Sequence, residues 1–389
     1  MREYHLICQN HMPEQIAAAA RESVGPAQPT GRGLGYVPAL NGVRGLAVLF
    51  VLGNHLPLRS FESLLPGGFA GVDIFFVLSG FLITTLLIEE FEGTGAIRLR
   101  NFYTRRALRL LPALIVLLLT ICIFSFFALD AAAARQQYFN SLIALFYISN
   151  WVRVLTHNQL GVLAHTWSLS VEEQFYLLWP LILLTLLRFS KKRRYFFIVA
   201  ALIALLSWAA CIHLALKGAS NIRMCFGSDS RVDTLMAGCI LAGIWSWKLT
   251  AQNLNKRFQK ILTVIAPLSF VSLVAFAIIP NLFGKGLFYY GFILLALLAA
   301  ALLLDVLINP RSIMKKVFEM KWLVWLGSVS YGLYLWHWTI LWAMHGMKWN
   351  HWTIVLTGVP LSFAMTLLSY YGMERRILRY KNRFAPKND

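Results

Sequence analysis

The chain has 389 residues, of which 58% are hydrophobic and 14% are charged, and its mean hydropathy is +0.62. Apolar runs of membrane-spanning length recur along it, and a soluble protein of this size would not need them. The net charge of +19 does not indicate nucleic-acid binding, because the basic residues crowd every second connection between the apolar runs. The sequence therefore predicts an all-α, polytopic integral membrane bundle.

The apolar runs predict about ten transmembrane helices with both termini in the cytoplasm, because the positive-inside rule and an even number of spans agree. Segment 138–155 is apolar but short, and we interpret it as interfacial or re-entrant, since a span there would reverse the charge bias downstream. We expect a multi-pass protein of the plasma membrane, or of the inner membrane if the source is Gram-negative. The spans are predicted near 38–58, 68–90, 108–129, 168–188, 195–216, 232–248, 261–280, 286–308, 322–345 and 352–374.

The ends of the chain differ from the apolar middle. Residues 1–36 are predicted to form a flexible cytoplasmic tail, 37–376 the transmembrane domain and 377–389 a basic cytoplasmic tail. The start lacks the pattern of a signal peptide. The five cysteines form no metal-ligand pattern, so we expect no metal site and no bound cofactor.

The first span carries two ionisable residues, Arg44 and His55, which are eleven residues apart. That spacing is close to three turns, so both side chains share one helix face, about 16 Å apart along the axis. Ionisable groups inside a membrane usually face a cavity or a partner. Near the outer end of the second span, Asp73 either satisfies backbone N–H groups at the helix start or orients His55.

Arginines cluster at the start of the third span. Arg105 and Arg106 lie four and three residues before Arg109, so the three side chains can converge on one ligand. The alternative is a cytoplasmic anchor that reaches into lipid headgroups. Arg109 lies beyond the anchor zone, which favours a ligand, and guanidinium groups suit phosphate.

The fourth span begins with HTWSLSVEEQFYLLWP, residues 165–180. Ser170 and Glu173 fit a capping box, which gives Glu173 a structural role and leaves Glu172 free. Tyr176 and Trp179 offer aromatic surface to a sugar ring, although an aromatic belt at the membrane interface would explain them too.

The chain resembles the membrane acyltransferase-3 family, the O-acetyltransferases that modify bacterial surface polysaccharides and other glycans. The resemblance runs from about Tyr36 to about Arg376, and six segments in order carry it. These are LNGVRGLAVLFVLGNH, GVDIFFVLSGFLIT, the Arg106–Arg109 pair, HTWSLSVEEQFYLLWP, SRVDTLMAGCILA and SYGLYLWHW. Some members of this family carry an esterase-like C-terminal domain, and because the sequence ends at Asp389 we expect the stand-alone transmembrane form.

The resemblance also implies roles for individual residues. His55 falls on the family's catalytic base, Arg106 and Arg109 on its arginine pair for acyl-CoA, and Glu172 on the glutamate of WSLxxE. The expected reaction moves an acyl group, most simply acetyl from acetyl-CoA, to a hydroxyl of a carbohydrate or lipid-linked glycan. Arg105, with Arg44, would help to hold the donor.

In that mechanism His55 either deprotonates the acceptor hydroxyl or takes the acyl group itself. A carboxylate, Glu172 or Asp73, would orient the imidazole. We expect acceptor-binding residues in the outer half of the bundle, although an ion pair and a core histidine are the alternatives for the last three of them. The expected acceptor-binding residues are Trp167, Tyr176, Arg231, Asp233 and His337.

Two other classes of protein would also carry buried ionisable residues. A secondary transporter of a small organic anion or sugar should show an internal repeat, and the sequence shows none. A sugar-binding membrane receptor would explain the aromatic residues, but it gives His55 and the arginine pair no function. The expected partners are therefore acyl-CoA, a glycan acceptor and membrane lipids, with no nucleic acid.

Overall fold

The computed structural model describes residues 34–59, 62–156, 158–190, 192–248, 256–381 and 384. Most of the predicted tail 1–36 and most of 377–389 lie outside these residues. The helices of the first half are α1 Pro38–His55, α2 Ala70–Thr94, α3 Leu99–Ala128, α4 Ala131–Leu145, α5 Ser149–Thr156, α6 Thr166–Phe189 and α7 Arg194–Leu216. A two-stranded hairpin, β1 Pro57–Arg59 and β2 Glu62–Ser63, follows α1.

The second half of the chain is also helical. Its elements are α8 Asn221–Phe226, α9 Val232–Lys248, α10 Lys256–Ile278, α11 Leu287–Ile308, α12 Ile313–Phe318, α13 Lys321–Gly346 and α14 His351–Tyr380. The first turns of α11 are a π-helix at Leu287–Gly291, and α14 contains π-helical turns at Ile354–Gly358 and Tyr370–Glu374.

Seven helices of the described chain are long and apolar enough to cross a membrane: α2, α3, α6, α7, α10, α11 and α14. The predicted class, a polytopic helical membrane protein, is therefore confirmed. Helix α9 is apolar but shorter, and α1 is interrupted by Arg44 and other polar residues. The count of ten spans and the cytoplasmic side of both termini stay predictions.

Segment 138–155 contains parts of two short helices, α4 and α5. The chain turns between them, where Tyr147 has a φ of 54°. Neither helix has the length of a membrane span. This arrangement agrees with the non-spanning interpretation of the segment.

Four helices pack closely in the order α13, α1, α2, α9. A Cβ at Gly327 of α13 would collide with the backbone of α1, and one at Gly71 of α2 would collide with α1 from the other side. Gly80 and Gly238 bring α2 and α9 equally close. Small residues let helices approach in this way where lipid supplies no hydrophobic driving force. The polar side chains of α1 are thus enclosed between α2 and α13.

The capping box expected at Ser170 is wrong, because α6 begins four residues earlier, at Thr166. The Ser170 hydroxyl donates to the carbonyl of Thr166 at 3.1 Å and accepts from the backbone N–H of Ser149 at 3.2 Å. It therefore ties α5 to α6. The early start also makes His165 and Glu172, seven residues apart, project from the same side of this helix.

Candidate active site

Two cavities lie between the helices, one toward each end of α1. The inner cavity has a volume of about 300 Å³ and lies at the end that the basic residues assign to the cytoplasm. Helices α1, α2, α3, α6 and α13 all contribute to its wall. The polar residues that define it are Arg44, Ser79, Arg106, Arg109, Glu172, Tyr176 and Ser330.

The inner cavity holds more positive than negative charge. Arg44 lies 3.4 Å from the Ser330 hydroxyl, and the guanidinium of Arg106 lies over the ring of Tyr176, 4.4 Å from its centre. Arg44, Arg106 and Arg109 form no ion pair within the described residues. Glu172 is the one carboxylate among the lining residues. Guanidinium groups without a carboxylate partner can bind a ligand that carries several phosphate charges.

Arg105 is engaged differently from its two neighbours. One of its nitrogens lies 2.9 Å from Glu90, whose side chain is buried, and another donates to the carbonyl of Phe384 at 2.5 Å. Arg105 still borders the inner cavity. Its hydrogen bonds connect α3 to α2 and to Phe384, so Arg105 contributes to the structure.

The outer cavity also measures about 300 Å³ and lies at the opposite end of α1. Its polar and aromatic lining comes from α1, α2, α5, α6, α8, α11 and α13 and from the turns before α2, α6 and α9. The residues that define it are Asn54, His55, Asp73, Arg153, His165, Trp167, Arg231 and Trp338. Helix α1 therefore places Arg44 at the inner cavity and His55 at the outer cavity. Both residues lie on the same face of this helix.

A chain of two hydrogen bonds fixes the protonation pattern of His55. Nδ1 of His55 lies 3.0 Å from Nε2 of His337, and Nδ1 of His337 lies 2.9 Å from the carbonyl of Leu333. A carbonyl only accepts, so Nδ1 of a neutral His337 carries its proton and Nε2 accepts. Nδ1 of His55 must then donate. The lone pair of a neutral His55 is consequently on Nε2, the atom that a base or nucleophile uses.

The carboxylates expected to orient His55 have other partners. Asp73 is buried and accepts a hydrogen bond from Arg231 at 2.5 Å. Glu172 accepts from the hydroxyl of Ser79 at 2.7 Å, in the inner cavity. The hydrogen-bond partner of His55 is an imidazole from α13 and not a carboxylate.

The five residues expected around an acceptor are dispersed. Trp167 and Arg231 line the outer cavity. His337 is fully buried behind His55, whereas Tyr176 lies in the inner cavity beneath Arg106. Asp233 lines neither cavity, and its carboxylate accepts from the backbone N–H of Thr234 at 2.9 Å, at the start of its own helix.

The sequence interpretation assigned no role to two residues of the outer cavity. His165 is buried, its ring centre is 6.0 Å from that of His337, and neither of its nitrogens has a hydrogen-bond partner within the described residues. Arg153 donates to the carbonyl of Ala164 at 2.9 Å and stacks on Phe226. The spacing of His165 from Glu172 was a usable signal, whereas nothing in the local sequence distinguishes Arg153 from an exposed loop arginine.

The fold and the paired cavities define a multi-pass integral membrane protein with two polar cavities between its helices. The profile of the acyltransferase-3 family, described as an acyltransferase domain, matches residues 37–374, and the chain belongs to this family. The family resemblance read from the sequence is thereby confirmed. No solved structure matches the chain significantly.

Several curated proteins are similar along most of the chain. The peptidoglycan O-acetyltransferase OatA of Listeria monocytogenes is 32% identical over 370 residues, which cover 91% of this chain and 58% of that protein. The O-acetyltransferase OatA of Staphylococcus aureus strain NCTC 8325 is 34% identical, over 79% of this chain and 51% of its own length. A putative O-acetyltransferase of S. aureus strain COL is 35% identical, over 80% and 51%. The chain thus spans about half the length of the curated relatives it matches.

Proposed function

We propose that the chain is a membrane O-acetyltransferase, which moves an acetyl group from acetyl-CoA on the cytoplasmic side to a glycan hydroxyl on the other side. The observation that carries the proposal is the lone pair on Nε2 of His55, fixed by His337 and presented at the outer cavity. The inner cavity supplies a complementary cationic site at the other end of the same helix.

The donor would enter the inner cavity from the cytoplasm. Acyl-CoA is a polyanion attached to a thin arm that ends in a thioester, so its phosphates would lie among Arg44, Arg106 and Arg109. These three guanidinium groups exceed the single carboxylate of Glu172 by two charges. Glu172, held by Ser79, would keep the arginines apart and oriented.

The chemical step needs one base. A glycan hydroxyl in the outer cavity would give its proton to Nε2 of His55 while its oxygen attacks the thioester carbon. The carbon–sulfur bond then breaks, a carbon–oxygen ester bond forms, and the thiolate of CoA takes the proton from the imidazolium. Nδ1–H of His55 donates to His337 before and after protonation, so the ring keeps its orientation throughout. Transfer through an acyl-histidine would use the same lone pair.

The acceptor that we propose is the glycan of peptidoglycan. The relative from L. monocytogenes is named for peptidoglycan O-acetylation and is similar over 91% of this chain. Trp167 and Trp338 give the outer cavity aromatic surface on which a sugar ring can lie. Asn54 and His165 add polar groups beside it.

The test is an assay of the purified, membrane-reconstituted protein with acetyl-labelled CoA and a panel of glycan fragments that includes peptidoglycan. We expect labelled, alkali-labile ester on peptidoglycan fragments, and its loss in His55→Ala. His213→Ala removes an exposed histidine outside both cavities and should behave as wild type. Correctly folded protein that transfers no acetyl group to any member of the panel would overturn the proposal, and ligand uptake without transfer would indicate a transporter.

A further inference from the structure

The inner and the outer cavity share two lining side chains. Val72 of α2 and Tyr334 of α13 line both the inner and the outer cavity, and we call this pair the partition. The valine is 7% exposed and the tyrosine 6% exposed, so both are packed inside the bundle. Because the inner and outer cavities share only these two of the described lining residues, an acyl group carried from the inner cavity to His55 would pass the partition.

The valine side of the partition is held by its chain neighbours. A Cβ at Gly71 would collide with the backbone of α1, so α2 has no room to move toward that helix. On the other side of the valine, Asp73 forms an ion pair of 2.5 Å with Arg231, the residue before α9. Val72 is therefore fixed between a close helix contact and a buried ion pair, and its isopropyl group cannot retreat without breaking one of them.

The tyrosine side is held by hydrogen bonds. The hydroxyl of Tyr334 donates to the carbonyl of His165 at 2.8 Å and shares a second hydrogen bond with the hydroxyl of Ser168 at 2.5 Å. Its ring also lies at an angle against Phe75, with centres 6.5 Å apart. These contacts anchor the phenol of Tyr334 to the first turn of α6, so the tyrosine side of the partition is held in place.

We propose that the partition selects the donor by acyl length, admitting acetyl and rejecting longer chains. This inference rests on the proposed function, because it concerns the donor of the same transfer. Both side chains are almost fully buried and are held by their neighbours, so we expect each added methylene to displace a packed side chain. An apolar site of this kind discriminates one methylene by roughly 10- to 200-fold. The wild-type protein should therefore prefer acetyl-CoA to propionyl-CoA by about tenfold or more.

The experiment compares kcat/KM for acetyl-, propionyl- and butyryl-CoA with one glycan acceptor. Val72→Ala widens the partition and should lower the acetyl-to-propionyl ratio by about tenfold. Tyr334→Phe keeps the ring but removes both hydrogen bonds, so it should shift the ratio the same way. Matched controls are Val37→Ala and Val51→Ala, which remove the same two methyl groups from the inner and the outer cavity alone.

Each outcome separates the two proposals. If the wild type transfers acetyl but Val72→Ala and Tyr334→Phe keep its ratio, the partition does not select length and the proposed function still stands. If Val51→Ala lowers the ratio as much as Val72→Ala, the outer cavity sets length and the inference is wrong. If the wild type transfers no acyl group, the proposed function is wrong, and the inference that rests on it is wrong as well. Should Val72→Ala not fold, the result for Tyr334→Phe decides.

Discussion

His337 binds His55 through a hydrogen bond of 3.0 Å between two imidazoles that are 282 residues apart in the chain. Because Nδ1–H of a neutral His337 donates to the carbonyl of Leu333, Nε2 of His337 can only accept from His55 when both rings are neutral. His337 orients the imidazole of His55, as the carboxylate orients the histidine in a serine-protease triad. Among the described residues no carboxylate forms an ion pair with His55, so the imidazole pair orients the base without a negative charge bound to it.

The first prediction concerns this positioning residue. His337→Leu should lower kcat by about 10²-fold or more, because His55 loses its partner and Nε2 is no longer held as the unprotonated atom. His337→Gln offers an amide oxygen that can accept from Nδ1 of His55 and should retain more activity than His337→Leu. The KM for acetyl-CoA should stay near the wild-type value in both, since His337 is outside the inner cavity. If His337→Leu and His337→Gln were equally active, His337 would not orient His55.

The second prediction concerns the base itself. His55→Gln keeps hydrogen bonding but cannot accept the proton, so acetyl transfer should fall by about 10²- to 10⁴-fold. The protein should still insert, because the bundle is held by helix packing. Transfer is measured at matched membrane expression, with His213→Ala as the control. If His55→Gln keeps most of the wild-type rate, His55 only positions the acceptor and the base must be sought elsewhere.

The third prediction separates the arginines. Arg109→Ala should raise the KM for acetyl-CoA by roughly tenfold to 150-fold, which corresponds to about 1.5–3 kcal/mol for a hydrogen bond to a charged group. Arg105 already forms an ion pair with Glu90, so Arg105→Ala should lower the thermal stability of the protein. Its effect on the KM for acetyl-CoA should be smaller than that of Arg109→Ala. Arg100, an exposed residue of the same helix, is the matched control. Equal and small effects at all three positions would mean that the cluster anchors the protein in the membrane.

Local pattern was enough to predict the class of protein and the common helix face of Arg44 and His55. Hydropathy predicted the membrane bundle, and the spacing of Arg44 and His55 predicted that one face would carry both. The structure adds that this face borders two cavities rather than one. Helical periodicity relates residues of the same helix, and Arg44 and His55 belong to one helix.

The partners across helices were not predictable from spacing. His55 with His337 and Asp73 with Arg231 are separated by 282 and 158 residues, and no short-range rule pairs residues that far apart. The capping box at Ser170 failed for a related reason. Its hydroxyl serves the distant helix α5, and this tertiary contact decides its partner instead of the local motif.

The fourth prediction concerns topology. Lys192 and Lys217 are exposed residues at the two ends of α7. Lys192→Cys should react with a membrane-impermeant maleimide only after the membrane is opened, and Lys217→Cys should react in intact cells. The parent chain, with its own cysteines, gives the background labelling. Reaction of Lys192→Cys in intact cells would place this connection outside and refute both the predicted orientation and the cytoplasmic entry of the donor.

The fifth prediction concerns the ion pair between Asp73 and Arg231, whose side chains are 1% and 2% exposed. Removing either partner leaves a buried charge without its counter-charge, so Asp73→Ala or Arg231→Ala should lower the free energy of unfolding by about 3–5 kcal/mol. The double variant removes both charges and should recover part of that loss. Arg193→Ala breaks a pair with Glu92 that is about half exposed, and it should change stability little.

The measurement for the ion pair is thermal unfolding in detergent, together with the amount of protein in the membrane. A double-mutant cycle isolates the coupling between the two charges from the cost of each truncation. If the double variant loses as much stability as the two single variants added together, the charges are not coupled. Asp73 would then hold α2 through packing alone, and Val72 would lose one of the two supports that fix its position beside Tyr334.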